Sequence, residues 1–247
     1  MTPPPLFTAL AGMLAATSLF AEPAPKDMKL FLLMGQSNMA GRGMIEEQDK
    51  VENPRIFMLT KDLQWVPAKD PVHFDMPAAG VGLASEFARE VLKADPAATM
   101  GLIPCAMGGS KLDEWEDGSL LYGTAVERTR EAMKSGELAG ILWHQGESES
   151  TPALADTYVD RLKKMMGKLR GDLKAKEVPV VIGELNYGYG NNDAINPELA
   201  KAVKKIPHAA LVSSEGLGKK QQVHFNSADL REFGKRYAAA YLKLVKP

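Results

Sequence analysis

Short, uninterrupted apolar runs alternate with amphipathic segments along most of this chain. Five runs have the length of strands and contain few polar residues, at 30–34, 100–103, 141–143, 178–182 and 209–212. A strand of a parallel sheet is buried on both faces, so it reads as a continuous apolar run and not as an alternating one. The pattern therefore predicts a buried parallel sheet of about five strands.

Between these runs, apolar residues recur three or four positions apart, which predicts amphipathic helices. One stripe runs from Leu83 to Val91, and another contains Leu154, Tyr158, Leu162, Met165 and Leu169. The last helix is expected to begin at the capping pair formed by Asn226 and Ser227 and to carry the stripe Leu230, Phe233, Tyr237, Tyr241 and Leu244. Alternation of strands and helices predicts a doubly wound α/β domain with helices on both faces of the sheet. Residues 41–80 lack this pattern, and we expect loops there.

The N-terminus has a composition of its own. Residues 1–21 contain no charged side chain, and the apolar stretch from Leu6 to Phe20 is short for a membrane span. It resembles the hydrophobic region of a secretory signal peptide cleaved after Ala21, with a buried N-terminal helix as the other interpretation. We therefore expect a signal peptide at 1–21, a linker at 22–28 and one domain at 29–247, exported to the periplasm or the outside and free of the membrane after cleavage.

Composition excludes several classes of function. The chain has 247 residues, of which 45% are hydrophobic and 25% charged, as in soluble globular domains. Thirty basic residues oppose thirty-one acidic ones without a dense basic run, which argues against nucleic acid as a partner. A single cysteine excludes an internal disulfide and a cysteine-rich zinc site, and no phosphate-binding or dinucleotide motif is present. No metal and no cofactor is predicted.

The segments that follow the predicted strands carry the chemistry. The first strand is followed by GQSNMAG at 35–41, the second by PCAMGGS at 104–110 and the third by HQGESE at 144–149, while VHFN at 223–226 precedes the last helix. Ligands of such sheets bind beyond the carboxyl ends of the strands. A serine, a glycine pair, an amide with a carboxylate and a histidine are the components of acyl transfer.

These four segments resemble the characteristic blocks of the SGNH (GDSL-like) hydrolase superfamily. Within it, they are similar to the sialate O-acetylesterase-like branch and to the acetylxylan esterases of carbohydrate esterase family 6. The resemblance extends from about Lys29 to the C-terminus. It implies a flavodoxin-like three-layer α/β/α fold and metal-independent removal of O-acetyl groups from an acetylated carbohydrate, such as xylan or sialic acid, through an acetyl-serine intermediate.

The resemblance also implies roles for individual residues. Ser37 corresponds to the nucleophile, although a serine at a turn also suits a helix cap, and His224 corresponds to the base. Many relatives place an aspartate three residues before this histidine, where the present chain has Gln221. Glu147 is the other candidate for the third member, and its alternative role is to bind backbone amides or cap the next helix. The other three histidines are predicted to be structural.

Oxyanion donors and substrate contacts complete the hypothesis. The predicted donors are the backbone amide of Ser37, an amide of Gly108 or Gly109, and the side chain of Gln145. Predicted substrate-binding residues are the two neighbours of Ser37, Gln36 and Asn38, and Trp115, for which ordinary loop packing is equally compatible.

Two other functions remain open at this point. The same machinery serves lipases and thioesterases, because the chemistry does not identify the alcohol. The absence of the usual aspartate at Gln221 also leaves room for a carbohydrate-binding relative without catalysis.

Overall fold

A computed structural model describes residues 25–246 of the chain. The predicted signal peptide and the first residues of the predicted linker lie outside the described residues. Among those that are described, no helix combines the length and the apolar character needed to cross a membrane.

The centre of the structure is a seven-stranded sheet in the order β3-β2-β4-β1-β5-β6-β7. All neighbouring strands are parallel except β3, which pairs antiparallel with β2 at the edge of the sheet. The strands are β1 Met28–Gly35, β2 Ile56–Leu59, β3 Trp65–Pro67, β4 Met100–Pro104, β5 Gly136–His144, β6 Val180–Gly183 and β7 Ala209–Val212.

All five predicted strands are present, but the estimate of about five strands was too low. Strands β2 and β3 lie in the segment for which only loops were predicted. Strand β2 is only four residues long, and Phe57 and Met58 in it are partly buried, so its apolar run is short. It also follows Pro54 closely. Strand β3 ends on Pro67, which an edge strand tolerates because its backbone nitrogen need not donate to a neighbour.

Six α-helices flank the sheet within residues 25–246. They are α1 Ser37–Ala40, α2 Ala84–Ala94, α3 Leu120–Ala132, α4 Pro152–Asp172, α5 Asn192–Lys205 and α6 Ser227–Val245. Helices α3, α4 and α5 share one apolar cluster with the sheet, and α2 and α6 share another on the opposite face. The predicted cap of the last helix is confirmed, because the Asn226 side chain accepts a hydrogen bond from the Asp229 amide.

Strand β1 shows why the sheet is covered on both faces. Leu30, Leu32 and Met34 pack into the α3–α4–α5 cluster, whereas Phe31 and Leu33 pack into the α2–α6 cluster. Each of these side chains is fully buried. Burying a side chain of this size contributes about 1.5–3 kcal/mol, so the whole strand is anchored in the core. The three-layer α/β/α fold is confirmed.

The strand order creates a crevice at the end of β1. Strand β1 pairs with β4 on one side and with β5 on the other. The chain builds β2, β3 and β4 on the first side and then crosses to β5, β6 and β7 on the second, which makes β1 the switch point of the topology. Ligands of doubly wound sheets bind outside the carboxyl ends of the strands at such a point. The segments after β4, β1 and β5 therefore emerge side by side.

Candidate active site

Backbone hydrogen bonds hold three of the sequence blocks together at this crevice. The Gln36 amide donates to the carbonyl of His144 at 2.9 Å, which joins the end of β1 to the end of β5. The Met107 amide donates to the carbonyl of Gly35, also at 2.9 Å, which joins the segment after β4 to β1. The position of Ser37 is thus fixed from both sides.

Ser37 and His224 form a hydrogen-bonded pair. Ser37 is the first residue of α1, and its Oγ lies 3.0 Å from Nε2 of His224. Both residues line an open cleft of about 360 Å³. A serine within hydrogen-bond reach of an imidazole is the arrangement that activates a hydroxyl as a nucleophile. A larger depression of about 600 Å³, between Leu138 and Pro179, lies at the amino ends of β5 and β6 and is lined by no serine or histidine.

The environment of His224 favours the neutral imidazole. Partial burial lowers its pKa below 6.5, and the Arg42 guanidinium lowers it further. The charge of Glu147 acts in the opposite direction but does not prevail. A neutral imidazole is the form that accepts a proton from a hydroxyl.

Glu147 lies in the same cleft with its carboxylate almost completely buried. Its side chain is 6% exposed, and Oε1 accepts a hydrogen bond of 2.8 Å from Nδ2 of Asn38. Oε2 is buried and has no hydrogen-bond partner among the described residues. Within residues 25–246 no hydrogen bond joins Glu147 to His224, so the carboxylate acts on the imidazole through its charge.

His144 does not compete for this carboxylate. Its Nε2 lies 3.1 Å from the carbonyl oxygen of Glu184, which only accepts, so Nε2 carries the proton of the neutral ring. Burial lowers the pKa of His144 and keeps it neutral. Nδ1 is therefore an acceptor, and its 3.9 Å separation from Oε1 of Glu147 is not a hydrogen bond.

The remaining histidines lie away from Ser37. His73 is buried, and burial lowers its pKa to about 3. His208 is half-exposed and pairs with Glu177 at 2.7 Å. Of the four histidines, His224 is the one that hydrogen-bonds Ser37.

Gln221 lies on the surface, and its side chain makes no hydrogen bond to His224 within the part of the chain that the structure describes. Its backbone adopts a φ of 60° and its amide donates to the Gly188 carbonyl. Gln221 therefore offers the imidazole no hydrogen bond in this structure.

The two glycines of the segment after β4 differ in their hydrogen bonds. The Gly108 amide donates to Oδ2 of Asp75 at 2.9 Å, so it is already occupied. Among residues 25–246, the amides of Gly109 and Ser37 donate to no other residue. Gly109 has a φ of 76°, a conformation that glycine adopts without strain. Of the predicted oxyanion donors, these two amides are the ones left free at the cleft.

Gln145 is placed in the interior. It is fully buried, and its Nε2 donates both hydrogens inside the protein, to the Ser110 carbonyl at 3.2 Å and to the Glu149 carboxylate. Its Oε1 lies 3.1 Å from the Tyr158 hydroxyl. The structure thus does not bring the predicted amide donor to the cleft; Gln145 instead supports the segment that carries Gly108 and Gly109.

Of the three predicted substrate-binding residues, one lines the cleft and two are buried in the interior. Gln36 lines the cleft, and its Oε1 has no hydrogen-bond partner among the described residues. Asn38 is 1% exposed, and its Nδ2 donates hydrogen bonds to the Glu147 carboxylate and to the Val223 carbonyl. Trp115 is fully buried, donates to Ser110 Oγ and packs edge-on against Trp143, so no face is available to a sugar.

Arg42 and Met76 line the cleft and were not predicted from the sequence, and neither was Asp75, which pairs with Arg42. Arg42 and Asp75 form an ion pair of 2.6 Å, and their side chains are 8% and 0% exposed. Asp75 and Met76 belong to the segment predicted as loops, where no periodic pattern marks a functional side chain. The one available signal was Arg42 itself, a charged residue immediately after the serine block.

Other chemistry is not assembled at this edge. Burial raises the pKa of the Cys105 thiol to about 11, which keeps it protonated and unreactive. Across residues 25–246 no group of three or more histidine, cysteine, aspartate or glutamate side chains is placed to hold a metal ion.

Comparison with known proteins connects this geometry to a family. Residues 27–243 match the sequence model of the family described as carbohydrate esterase, sialic acid-specific acetylesterase. A probable carbohydrate esterase of Arabidopsis thaliana is 34% identical over 237 residues, which cover 87% of this chain and 90% of that protein.

Solved structures give the same result for the fold. An Arabidopsis thaliana protein superimposes with a TM-score of 0.81 at 32% identity, over 88% of this chain and 98% of that one. NanS superimposes with a TM-score of 0.74 at 18% identity, over 90% and 98% of the two chains. A carbohydrate acetylesterase from Xanthomonas citri does so with a TM-score of 0.68 at 18% identity, over 87% and 56%. The protein therefore belongs to the SGNH-like carbohydrate esterase family that is described as sialic acid-specific acetylesterase.

Proposed function

We propose that this protein is a serine esterase that removes acetyl groups from the hydroxyls of a carbohydrate without a metal ion. The observation that carries the proposal is the 3.0 Å contact between Ser37 Oγ and His224 Nε2 in an open cleft. The family match supplies the substrate class, and the serine–histidine pair supplies a route to ester cleavage that uses the chain's own residues.

The reaction proceeds through an acetyl-serine. Neutral His224 accepts the Ser37 proton at Nε2 as Oγ attacks the acetyl carbonyl carbon. The amides of Ser37 and Gly109 donate to the negative oxygen of the tetrahedral intermediate, and each such donor contributes roughly 10²–10³ in rate. His224 then gives its proton to the departing sugar oxygen. Water, deprotonated by the same imidazole, releases acetate and restores Ser37.

Glu147 is the third member of this proposed triad. When His224 holds the proton of Ser37, its positive charge lies near a buried carboxylate with a free oxygen. That attraction is stronger than it would be in bulk water because the Glu147 carboxylate is buried. The hydrogen bond between Glu147 and His224 is proposed to form in the transition state, since such contacts are often long in a free enzyme.

The charges of the cleft favour an uncharged acetylated sugar over sialic acid. Arg42 is the one arginine or lysine among the lining residues, and Asp75 already neutralises it with a two-pronged contact. Glu147 adds a negative charge. A sugar carboxylate would therefore meet no unpaired cation there, whereas an acetylated neutral sugar such as xylose carries no charge to compensate.

The destination of the chain and the type of ester it cleaves are also part of the proposed function. Residues 1–21 are proposed to export the protein to the periplasm or beyond. A lipase-type activity is the alternative, and long-chain esters test it.

The test is acetate release by the mature protein and by Ser37→Ala. We expect release from acetylated xylo-oligosaccharides, slower release from O-acetyl sialic acid, loss of both in Ser37→Ala and no effect of a chelator. Binding of acetylated oligosaccharide without release would instead indicate a carbohydrate-binding relative, and faster release from long-chain esters would indicate a lipase. Inhibition by the chelator would overturn metal independence.

A further inference from the structure

Asn38 bridges three parts of the active site. Its Nδ2 donates to Oε1 of Glu147 at 2.8 Å and to the carbonyl of Val223 at 3.0 Å, and its Oδ1 accepts from the Phe225 amide at 3.2 Å. Val223 and Phe225 are the two neighbours of His224. One amide thus holds the backbone on both sides of the base and the carboxylate beside it.

The orientation of the amide follows from its partners. Nδ2 faces two oxygens that only accept, and Oδ1 faces an N–H that only donates. Rotating the amide by 180° would place oxygen against oxygen and nitrogen against a donor, so all three bonds would be lost. Because Asn38 is 1% exposed, water does not replace these partners.

We propose that Asn38 is a positioning residue that keeps His224 and Glu147 in register with Ser37. It directly follows the serine on α1, whereas the segment with His224 comes from 187 positions further along the chain. The His224 segment lies between β7 and α6, and no strand anchors it. Asn38 therefore provides the connection that the sheet does not, and it acts on the reaction through other residues, without touching substrate. This inference rests on the proposed serine esterase function.

The consequence is a specific pattern of kinetic defects. Asn38→Ala removes all three bonds, so the base and the carboxylate lose their fixed positions while the cleft wall that meets the sugar is unchanged. We expect kcat to fall by about 10- to 100-fold and KM to change less than threefold, as is expected when positioning at the reacting atoms is lost. Asn38→Asp keeps the shape and the acceptor for the Phe225 amide but loses the N–H groups that bind Glu147 and Val223. Two carboxyls this close in a buried site share a proton, so we expect kcat to fall in this variant as well, with little change in KM.

The matched control is Asn196→Ala. Asn196 is 2% exposed and its amide holds the Leu185 backbone in the same fashion, accepting from its N–H at 2.8 Å and donating to its carbonyl at 3.1 Å. Both alanine variants leave buried backbone groups unpaired, so both should lower the melting temperature. Only Asn38→Ala should lower kcat at temperatures where both are folded.

The outcomes separate this inference from the function on which it rests. If Ser37→Ala abolishes acetate release and Asn38→Ala retains wild-type kcat, the positioning role is overturned while the esterase stands. Equal losses of kcat in Asn38→Ala and Asn196→Ala also overturn it. No release by the wild type, or full release by Ser37→Ala, would refute the proposed function itself.

Discussion

Gly35 lies directly opposite His144 in the parallel pairing of β1 and β5. The two backbones are so close that a Cβ added to Gly35 would lie 2.0 Å from the His144 carbonyl oxygen. That carbonyl accepts a hydrogen bond from the Gln36 amide. The segment that leads from β1 to Ser37 therefore starts beside the segment that leads from β5 to Glu147. The register of one strand pair thus brings the proposed nucleophile and carboxylate to the same crevice.

The carboxylate can be tested by its isosteric amide. Glu147→Gln retains an acceptor for Asn38 but cannot stabilise the imidazolium, so kcat should fall by about 10²–10⁴. The matched control is Glu184→Gln, because Glu184 is also a buried carboxylate that follows a neighbouring strand and accepts the Ser214 amide at 3.1 Å. It should retain most activity. Near-wild-type kcat in Glu147→Gln would remove Glu147 from the triad.

Gly109 provides a test of the oxyanion site. In Gly109→Ala the added Cβ has open space, but the φ of 76° is unfavourable for alanine. The turn should therefore change its backbone conformation, and the amide of residue 109 should no longer point at the oxyanion. Gly118→Ala is the control, with a φ of 88° and equally open space. The strain of about 1–2 kcal/mol is shared by both variants, whereas we expect kcat to fall at least tenfold only in Gly109→Ala. If the two variants turn over substrate equally fast, the Gly109 amide is excluded as a donor.

The strand pattern explains which parts of this site the sequence could predict. Ser37, Gly109 and Glu147 follow buried strands within a few residues, and parallel strands of one sheet end at one edge, so local sequence was sufficient to predict that they lie together. Asp75 belongs to a segment that has no periodic apolar pattern. Its position depends on the long-range contacts with Arg42 and Gly108 that only the folded chain contains.

Gln145 and Trp115 show the opposite limit of sequence interpretation. Both have polar or aromatic groups that suit a ligand and both lie near the correct blocks. The fold buries both side chains. A buried polar group without a hydrogen-bond partner costs free energy, and Ser110 supplies a partner to each of the two. Residue type and spacing do not reveal toward which side of the backbone such a group will turn.

The pH dependence of activity reports the charges around His224. Its pKa is lowered from 6.5, so the imidazole is the neutral base at that pH and the acidic limb of kcat/KM should lie below it. Arg42→Gln removes a cation that lowers this pKa, so the limb should move to higher pH. Glu147→Gln removes an anion that raises it, so the limb should move to lower pH.

Opposite movements in these two variants, with Arg42→Lys close to the wild type, would assign the limb to His224. A limb that stays fixed in all of them would mean that another group titrates. Rates of acetate release from a neutral acetylated sugar between pH 4 and pH 8 provide the measurement.

The preference for an uncharged sugar depends on the pairing of Arg42 with Asp75. Asp75→Asn retains an acceptor for the Gly108 amide but leaves the guanidinium charge uncompensated. The ratio of kcat/KM for O-acetyl sialic acid to that for acetylated xylo-oligosaccharide should rise severalfold, and the rise should shrink with added salt. Asp172→Asn, a remote change of the same charge, should leave the ratio unchanged. An unaltered ratio in Asp75→Asn would show that Arg42 does not meet the sugar.

Asp70 links stability to pH in the direction opposite to that of most carboxylates. Burial raises its pKa to about 6 from 3.8, so the folded state holds the proton more tightly than the unfolded chain. The stability from this neutral carboxyl is fully present below pH 3.8 and is lost as the pH rises through about 6. Above that range, the buried charge costs about 2–3 kcal/mol.

Asp70→Asn cannot ionise and still offers an oxygen to the Gly82 amide, which donates to Asp70 at 3.3 Å. Relative to the wild type, it should therefore melt several degrees higher at pH 8 and at nearly the same temperature at pH 4. Asp95→Asn is the control: its surface pairing with Lys29 lowers the pKa, so its loss brings no gain at pH 8. A melting difference for Asp70→Asn that does not grow with pH would show that Asp70 is already neutral at pH 8 or that its charge is compensated.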